Sequence, residues 1–290
     1  MNINTKDSIK KFNIRPTKSL GQNFLTDNNI IKRIVETADV NSNDLVIEIG
    51  PGLGGMTSEL AARAGMVIAV EIDKHLIPVL NENLRDFTNV LILNKDILKV
   101  DINTDILEMS GLKKSGFKPT GFKVVANLPY YITTPVIMKL LEGDLFADLM
   151  VFMVQKEVGD RIAAKPGGKE YGALSVAVQY YSKPSKAFDV PPQCFIPKPD
   201  VDSSVVKFDI YKTPPVPLQN KELFFKIVRA SFGQRRKTLV NALYNSGYFN
   251  ADKDKIKDIL KNVGIGENQR GETLTIMQFA ELSNFIFKNL

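Results

Sequence analysis

Between Asn43 and about Ile210, short apolar runs alternate with amphipathic stretches, the pattern of parallel β-α-β units. The runs predict strands at 45–49, 66–71, 90–93, 122–126 and 149–154. Between them, apolar spacing near 3.6 predicts helices at 56–64, 74–84, 134–141 and 172–180, with Asp73 placed to cap the second. Residues 188–206 are rich in proline. They lead into 203–210, which alternates like an antiparallel strand and is expected to close the far edge of the sheet as part of a hairpin. Thr213-Pro214-Pro215-Val216-Pro217 then reads as a stiff linker. Beyond it the spacing of Leu223, Phe224, Ile227, Val228 and Phe232, and later of Phe279, Leu282, Phe285 and Ile286, is helical. The expected division is a basic N-terminal tail at 1–18, an α/β domain at 19–212, a linker at 213–217 and a small all-helical domain at 218–290.

Candidate chemistry gathers at the ends of the predicted strands, where open α/β sheets bind ligands. The run Phe122-Lys123-Val124-Val125-Ala126 stops at Asn127-Leu128-Pro129-Tyr130. An exocyclic amine on a nucleobase is a poor nucleophile because its lone pair is delocalised into the ring. The Asn127 carboxamide oxygen and the Leu128 carbonyl could each accept one of its N–H groups and draw the nitrogen toward tetrahedral geometry. Pro129 stiffens that corner by fixing its own φ and extending the residue before it. Tyr130 offers a flat face for a flipped-out base. The same four residues also fit an ordinary Asn/Pro turn.

The first strand ends in Glu48-Ile49-Gly50-Pro51-Gly52-Leu53-Gly54-Gly55. Glycines suit a sharp turn that approaches a ligand closely, and this string satisfies both dinucleotide and other nucleoside fingerprints. Glu71 stands 21 positions after Gly50, where a carboxylate can hold ribose hydroxyls, and Asp96 follows the third strand, within reach of an adenine amino group. Both also fit solvated loop positions. No Lys or Arg lies between Glu48 and Arg63, so nothing suits a pyrophosphate. A cationic sulfonium needs no such counter-charge, which favours S-adenosylmethionine as the cofactor.

Composition narrows the alternatives. The 290 residues carry a formal charge of +6, a slight lean toward a polyanionic partner. A single cysteine, Cys194, excludes an internal disulfide, and a single histidine, His75, leaves no His-rich metal site and no plausible Ser-His-Asp triad. No apolar stretch resembles a signal peptide or a membrane span, so the chain is expected to be cytoplasmic, without metal or membrane partner. Arg229, Arg235, Arg236 and Lys237 form a cationic cluster on the first predicted helix of the second domain. Lys156, Arg161, Lys165 and Lys169 form another near the expected pocket mouth. Either can neutralise phosphates, or simply be a solvated face.

Together with Gly21-Gln22-Asn23-Phe24-Leu25, Phe195-Ile196-Pro197-Lys198-Pro199-Asp200-Val201-Asp202-Ser203 and Phe232-Gly233-Gln234-Arg235-Arg236-Lys237-Thr238-Leu239, these motifs resemble the ribosomal RNA adenine dimethyltransferases, small-subunit branch, over nearly the whole chain. The nearest departure is Gly55-Met56, where the family often has alanine and leucine. The resemblance implies a Rossmann-like class I S-adenosylmethionine-dependent methyltransferase sheet, mostly parallel with one antiparallel edge strand, and a helical C-terminal domain that binds RNA. It implies a cofactor site of Asn23, Leu25, Glu48, Gly50, Gly52, Glu71, Ile72, Asp96, Ile97 and Asn127. Catalysis would fall to Asn127, Leu128, Pro129, Tyr130 and Phe195, with Tyr130 and Phe195 stacking on the target base, although Phe195 also fits a core aromatic beside Cys194. RNA contacts would come from Arg229, Arg235, Arg236 and Lys237. The implied partner is 16S rRNA within the 30S subunit or its precursor, bound by a monomer. Rival readings are a large-subunit rRNA methyltransferase of the antibiotic-resistance type, an assembly factor with little catalysis, and a nicotinamide-dependent oxidoreductase.

Overall fold

The computed structural model describes residues 3–108, 116–143, 147–234 and 236–289. The chain forms two compact units, one of Met1–Gly159 with Ser185–Ile210, the other of Asp160–Pro184 with Tyr211–Leu290.

The first unit is built on a seven-stranded sheet. In chain order its elements are α1 (Thr5–Lys11), β1 (Phe24–Leu25), α2 (Asn28–Thr37), β2 (Asp44–Ile49), α3 (Gly55–Ala61), β3 (Met66–Glu71), α4 (Ile77–Asn83), β4 (Val90–Asn94), β5 (Gly121–Asn127), α5 (Thr133–Glu142) and β6 (Leu149–Gln155). After these come α6 (Lys156–Ile162), whose end passes into the second unit, α7 (Ala173–Tyr181), which belongs to that second unit, and then β7 (Ser182–Val190), β8 (Phe195–Ile196) and β9 (Ser203–Ile210). The sheet order is β4-β3-β2-β5-β6-β9-β7, and β1 pairs separately with β8. Strands β4, β3, β2, β5 and β6 are parallel, while β9 runs antiparallel to β6.

Strands β2 and β3 are buried throughout, so they carry largely apolar runs rather than alternation, with Glu48 and Glu71 the acidic residues near their carboxyl ends. On one face Val46, Val67, Val125 and Val151 pack with Ile30, Ile31, Ile34 and Val35 of α2 and with Met56 and Leu60 of α3. Each such side chain contributes about 1.5–3 kcal/mol of burial. The register Glu48↔Ala69 and Glu48↔Val125 aligns the carboxyl ends of these strands along one edge. At the opposite end of β5 the buried Lys123 ammonium pairs with Asp44 at 2.9 Å and bonds the Asp39 carbonyl.

Three expectations shift. The helix after Asp73 starts at Ile77 rather than Lys74. Asp73 Oδ1 instead accepts the His75 amide at 3.0 Å, and Pro78 occupies the first helical turn, where it lacks no needed bond. Strand β9 lies one place in from the edge, because β7 begins at Ser182 and forms the border itself. The N-terminal residues are not merely a tail, since Asn4 caps α1 by accepting the Lys6 and Asp7 amides.

The second unit is helical, with α8 (Lys221–Gly233), α9 (Leu239–Asn245), α10 (Lys253–Asn262) and α11 (Ile276–Asn289) beside α7. Its core is aromatic. Tyr180 lies 5.5 Å from Phe224 and 5.6 Å from Phe225, and Phe232 lies 6.0 Å from Phe279, ring centre to ring centre. Among the described residues no helix is long and apolar enough to cross a membrane.

Candidate active site

A cavity of about 340 Å³ opens where the carboxyl ends of β2, β3 and β5 meet, in the size range of ligand sites. Every residue that the sequence assigned to the cofactor lines it: Asn23, Leu25, Glu48, Gly50, Gly52, Glu71, Ile72, Asp96, Ile97 and Asn127. Leu128, Pro129 and Tyr130 line it too.

The glycine turn forms the floor. Gly52 has φ +58°, and a Cβ there would sit 3.1 Å from the Phe24 ring, so any side chain would both strain the backbone and strike β1. Glu71 ties this turn to β3, because its carboxylate accepts the Gly52 amide at 3.3 Å and the Asp73 amide at 2.8 Å. Burial raises the Glu71 pKa, and those amide bonds pull it back. Ile72 beside it is half exposed and offers an apolar shelf within the cavity. Asp96 accepts the Leu98 amide at 2.9 Å through one oxygen.

Glu48 differs from these. It is fully buried, lines the cavity, and neither of its oxygens is hydrogen-bonded among the described residues. Burial, with a smaller push from the Glu71 charge, raises its pKa to about 8. The neighbouring Thr57 hydroxyl opposes that rise without reaching hydrogen-bonding geometry.

At the end of β5, Asn127 Nδ2 donates to the Asn23 carbonyl at 3.0 Å, which leaves its Oδ1 as an available acceptor. The Leu128 amide donates to Met153 at 3.1 Å, and no described donor takes the Leu128 carbonyl. Pro129 is extended at φ −57°, ψ 132°. Two acceptors therefore stand side by side on a stiff corner. The Tyr130 hydroxyl is 2.9 Å from Ser203 Oγ, which fixes the ring, and burial raises its pKa.

Phe195 does not join them. It is 3% exposed, pairs with Leu25 across β1 and β8, belongs to the core with Cys194, and is not part of the cavity lining. Of the cationic cluster, Arg229 is exposed on α8, while Arg236 and Lys237 are exposed in the turn after that helix ends; Arg235 lies outside the described residues. Lys156 is ion-paired with Asp189 at 3.1 Å, and Arg161, Lys165 and Lys169 belong to the second unit. Among the cavity residues to which the sequence reading gave no role are Thr5, Gln22, Lys95 and Tyr131. Gln22 lies inside a motif that it singled out and Tyr131 directly follows one, whereas Thr5 carried no signal of its own.

The site fits a cationic nucleoside. Glu48, Glu71 and Asp96 line it against one basic residue, Lys95, whose ammonium is taken by Asp105. Such acidity suits a sulfonium and opposes a pyrophosphate.

Comparisons with known proteins agree with this geometry. The family described as "Ribosomal RNA adenine dimethylase" matches residues 13–282. "Ribosomal RNA small subunit methyltransferase A" of Alkaliphilus oremlandii is 48% identical over 286 residues, 99% of this chain and 97% of that protein. The protein of the same name from Clostridioides difficile is 49% identical over 282 residues, covering 97% and 94%. Among solved structures, a dimethyladenosine transferase from Plasmodium falciparum has a TM-score of 0.73 at 25% identity, covering 89% of this chain and 95% of that one. The 23S rRNA methyltransferase ErmE has a TM-score of 0.68 at 24% identity, covering 91% and 100%, a likeness of fold. On its sequence from end to end, the chain belongs to the ribosomal RNA adenine dimethylase family.

Proposed function

We propose that this protein methylates the exocyclic amines of adenosines in small-subunit 16S rRNA, two methyl groups to each nitrogen, during assembly of the 30S subunit. The observation that carries this reading is the pair of acceptors at Asn127 and Leu128, opening into the same cavity as the glycine turn and Glu71. When bound, S-adenosylmethionine supplies the methyl group as a sulfonium electrophile. Glu71 holds the ribose hydroxyls. The Asp96 oxygen not taken by Leu98 accepts from the adenine amino group, against the Ile72 shelf. Asn127 Oδ1 and the Leu128 carbonyl each accept one N–H of the target amine, which localises its lone pair and aims it. These bonds strengthen as the nitrogen becomes cationic, so they favour the transition state over the ground state. The resulting ammonium is acidic enough to lose its proton to water, and no side-chain base is required. After one transfer a single N–H remains, so the corner must accept a methyl group where a proton had been. Tyr130, held by Ser203, is the platform on which the flipped base stacks.

The protein is proposed to act as a cytoplasmic monomer, with Arg229, Arg235, Arg236 and Lys237 engaging RNA phosphates. Incubating unmodified 30S particles with radiolabelled methyl donor, followed by digestion and base analysis, tests the reading. Label is expected as dimethyladenosine in 16S rRNA. Label absent from the adenosines of 16S rRNA would overturn it.

A further inference from the structure

The N-terminal helix α1 reaches the cavity that the glycine turn and β5 define. Thr5 is buried and lines that cavity, and its hydroxyl is not hydrogen-bonded to any described residue. It approaches the start of α3 so closely that a Cβ added to Gly55 would meet Thr5 Oγ1 at 3.2 Å and Ile31 Cδ1 at 3.4 Å. An alanine at the head of α3 would require Thr5 to give by a few tenths of an ångström, so the two helices are in close contact here.

The way α1 is held is equally informative. Its polar ties are slight: Asn83 Nδ2 donates to Ser8 Oγ at 3.2 Å while also holding the Leu53 carbonyl at 2.9 Å, and the exposed Lys11–Glu82 pair at 3.5 Å adds little. The main attachment is apolar, with Ile9, Phe12 and Ile14 packed against Phe24, Leu53, Leu76 and Val79. Phe24, Leu53 and Leu76 themselves line the cavity. The helix therefore sits on the backs of side chains whose other sides face the ligand space, so docking of α1 and the shape of the cavity are one packing problem.

We propose that α1 is a wall of the methyl-donor site, packed over the glycine turn, with the Thr5 hydroxyl facing the polar amino-acid end of the donor. This rests on the reading of the cavity as a donor site. The floor and the β5 corner supply contacts to the nucleoside and the reacting methyl. Helix α1 encloses the remaining side, shielding an electrophile from water and adding contact area to a ligand that would otherwise lie open.

Hydrogen exchange and calorimetry on the full chain test this with S-adenosylhomocysteine as probe. Amides of residues 5–12 are expected to exchange at least tenfold more slowly on binding, while those of α10 remain unchanged. Thr5→Trp, which fills the wall, and the double variant Ile9→Asp/Phe12→Asp, which detaches the helix, are each expected to weaken binding at least tenfold. Unchanged exchange across 5–12, or wild-type affinity in a folded variant of either kind, overturns the proposal. If the double variant does not fold, Thr5→Trp and the exchange result decide. A wild-type chain that binds no S-adenosylhomocysteine removes the donor-site reading itself, a failure distinct from that of α1.

Discussion

At Glu48 a carboxyl group is buried with neither oxygen hydrogen-bonded among the described residues, a burden that a fold retains where a ligand will relieve it. With its pKa raised to about 8, the group is protonated in the ligand-free protein at neutral pH. The sign of the linkage follows: the folded state binds a proton that the unfolded chain has lost above pH 4.5. The stabilising contribution is complete below that value and disappears as pH rises through about 8, a slope of about 1 kcal/mol per pH unit. Denaturant titrations at pH 5, 6, 7 and 8 are expected to show this slope in the ligand-free protein and a flatter one in Glu48→Gln. Equal slopes would mean that Glu48 is already ionised. Asn127 makes the other residue-scale prediction. Asn127→Ala is expected to lower single-turnover methyl transfer about 100-fold while leaving donor affinity within threefold, as loss of one transition-state hydrogen bond does. Undiminished transfer would take Asn127 out of the reaction.

Among the elements, the glycine turn is the least tolerant. Gly52→Ala forces a Cβ toward the Phe24 ring at a φ that only glycine adopts freely, so a loss of about 1–3 kcal/mol and weaker donor binding are expected from thermal melts and calorimetry. A wild-type melting temperature would show that β1 yields. The five parallel strands were readable because each carries a short run dominated by apolar residues, which survives single polar interruptions such as Glu48 and Lys123, and the ends of β2, β3 and β5 carried cavity residues with them. Strand β7 escaped because Ser182-Lys183-Pro184-Ser185-Lys186 alternates at a sheet border, where side chains face water and a proline is tolerated. Helix α1 escaped for a different reason. Seven residues are too few to form a helix unaided, and the cluster it packs on is assembled from β1, the glycine turn and α4, far apart in sequence. Phe195 sits in a motif rich in functional-looking residues, and only the pairing of β8 with β1 places it in the core.

On the scale of the whole molecule, the net charge of +6 gives modest attraction to a polyanion, so the salt dependence of RNA binding should trace to few residues. Arg236→Gln with Lys237→Gln is expected to weaken binding to unmodified 30S particles across the range of salt and to reduce the log–log salt slope by about 2. Filter binding between 50 and 300 mM salt, roughly the range over which such slopes are resolved, measures it. An unaltered slope would return both side chains to the solvated surface. The place of Thr5 bears on how the protein is handled. Anything fused ahead of it, such as an affinity tag or a protease-cleavage remnant, is tethered at the rim of the ligand chamber rather than at a remote loose end. Preparations that differ only in their leader peptide should then differ in measured donor affinity.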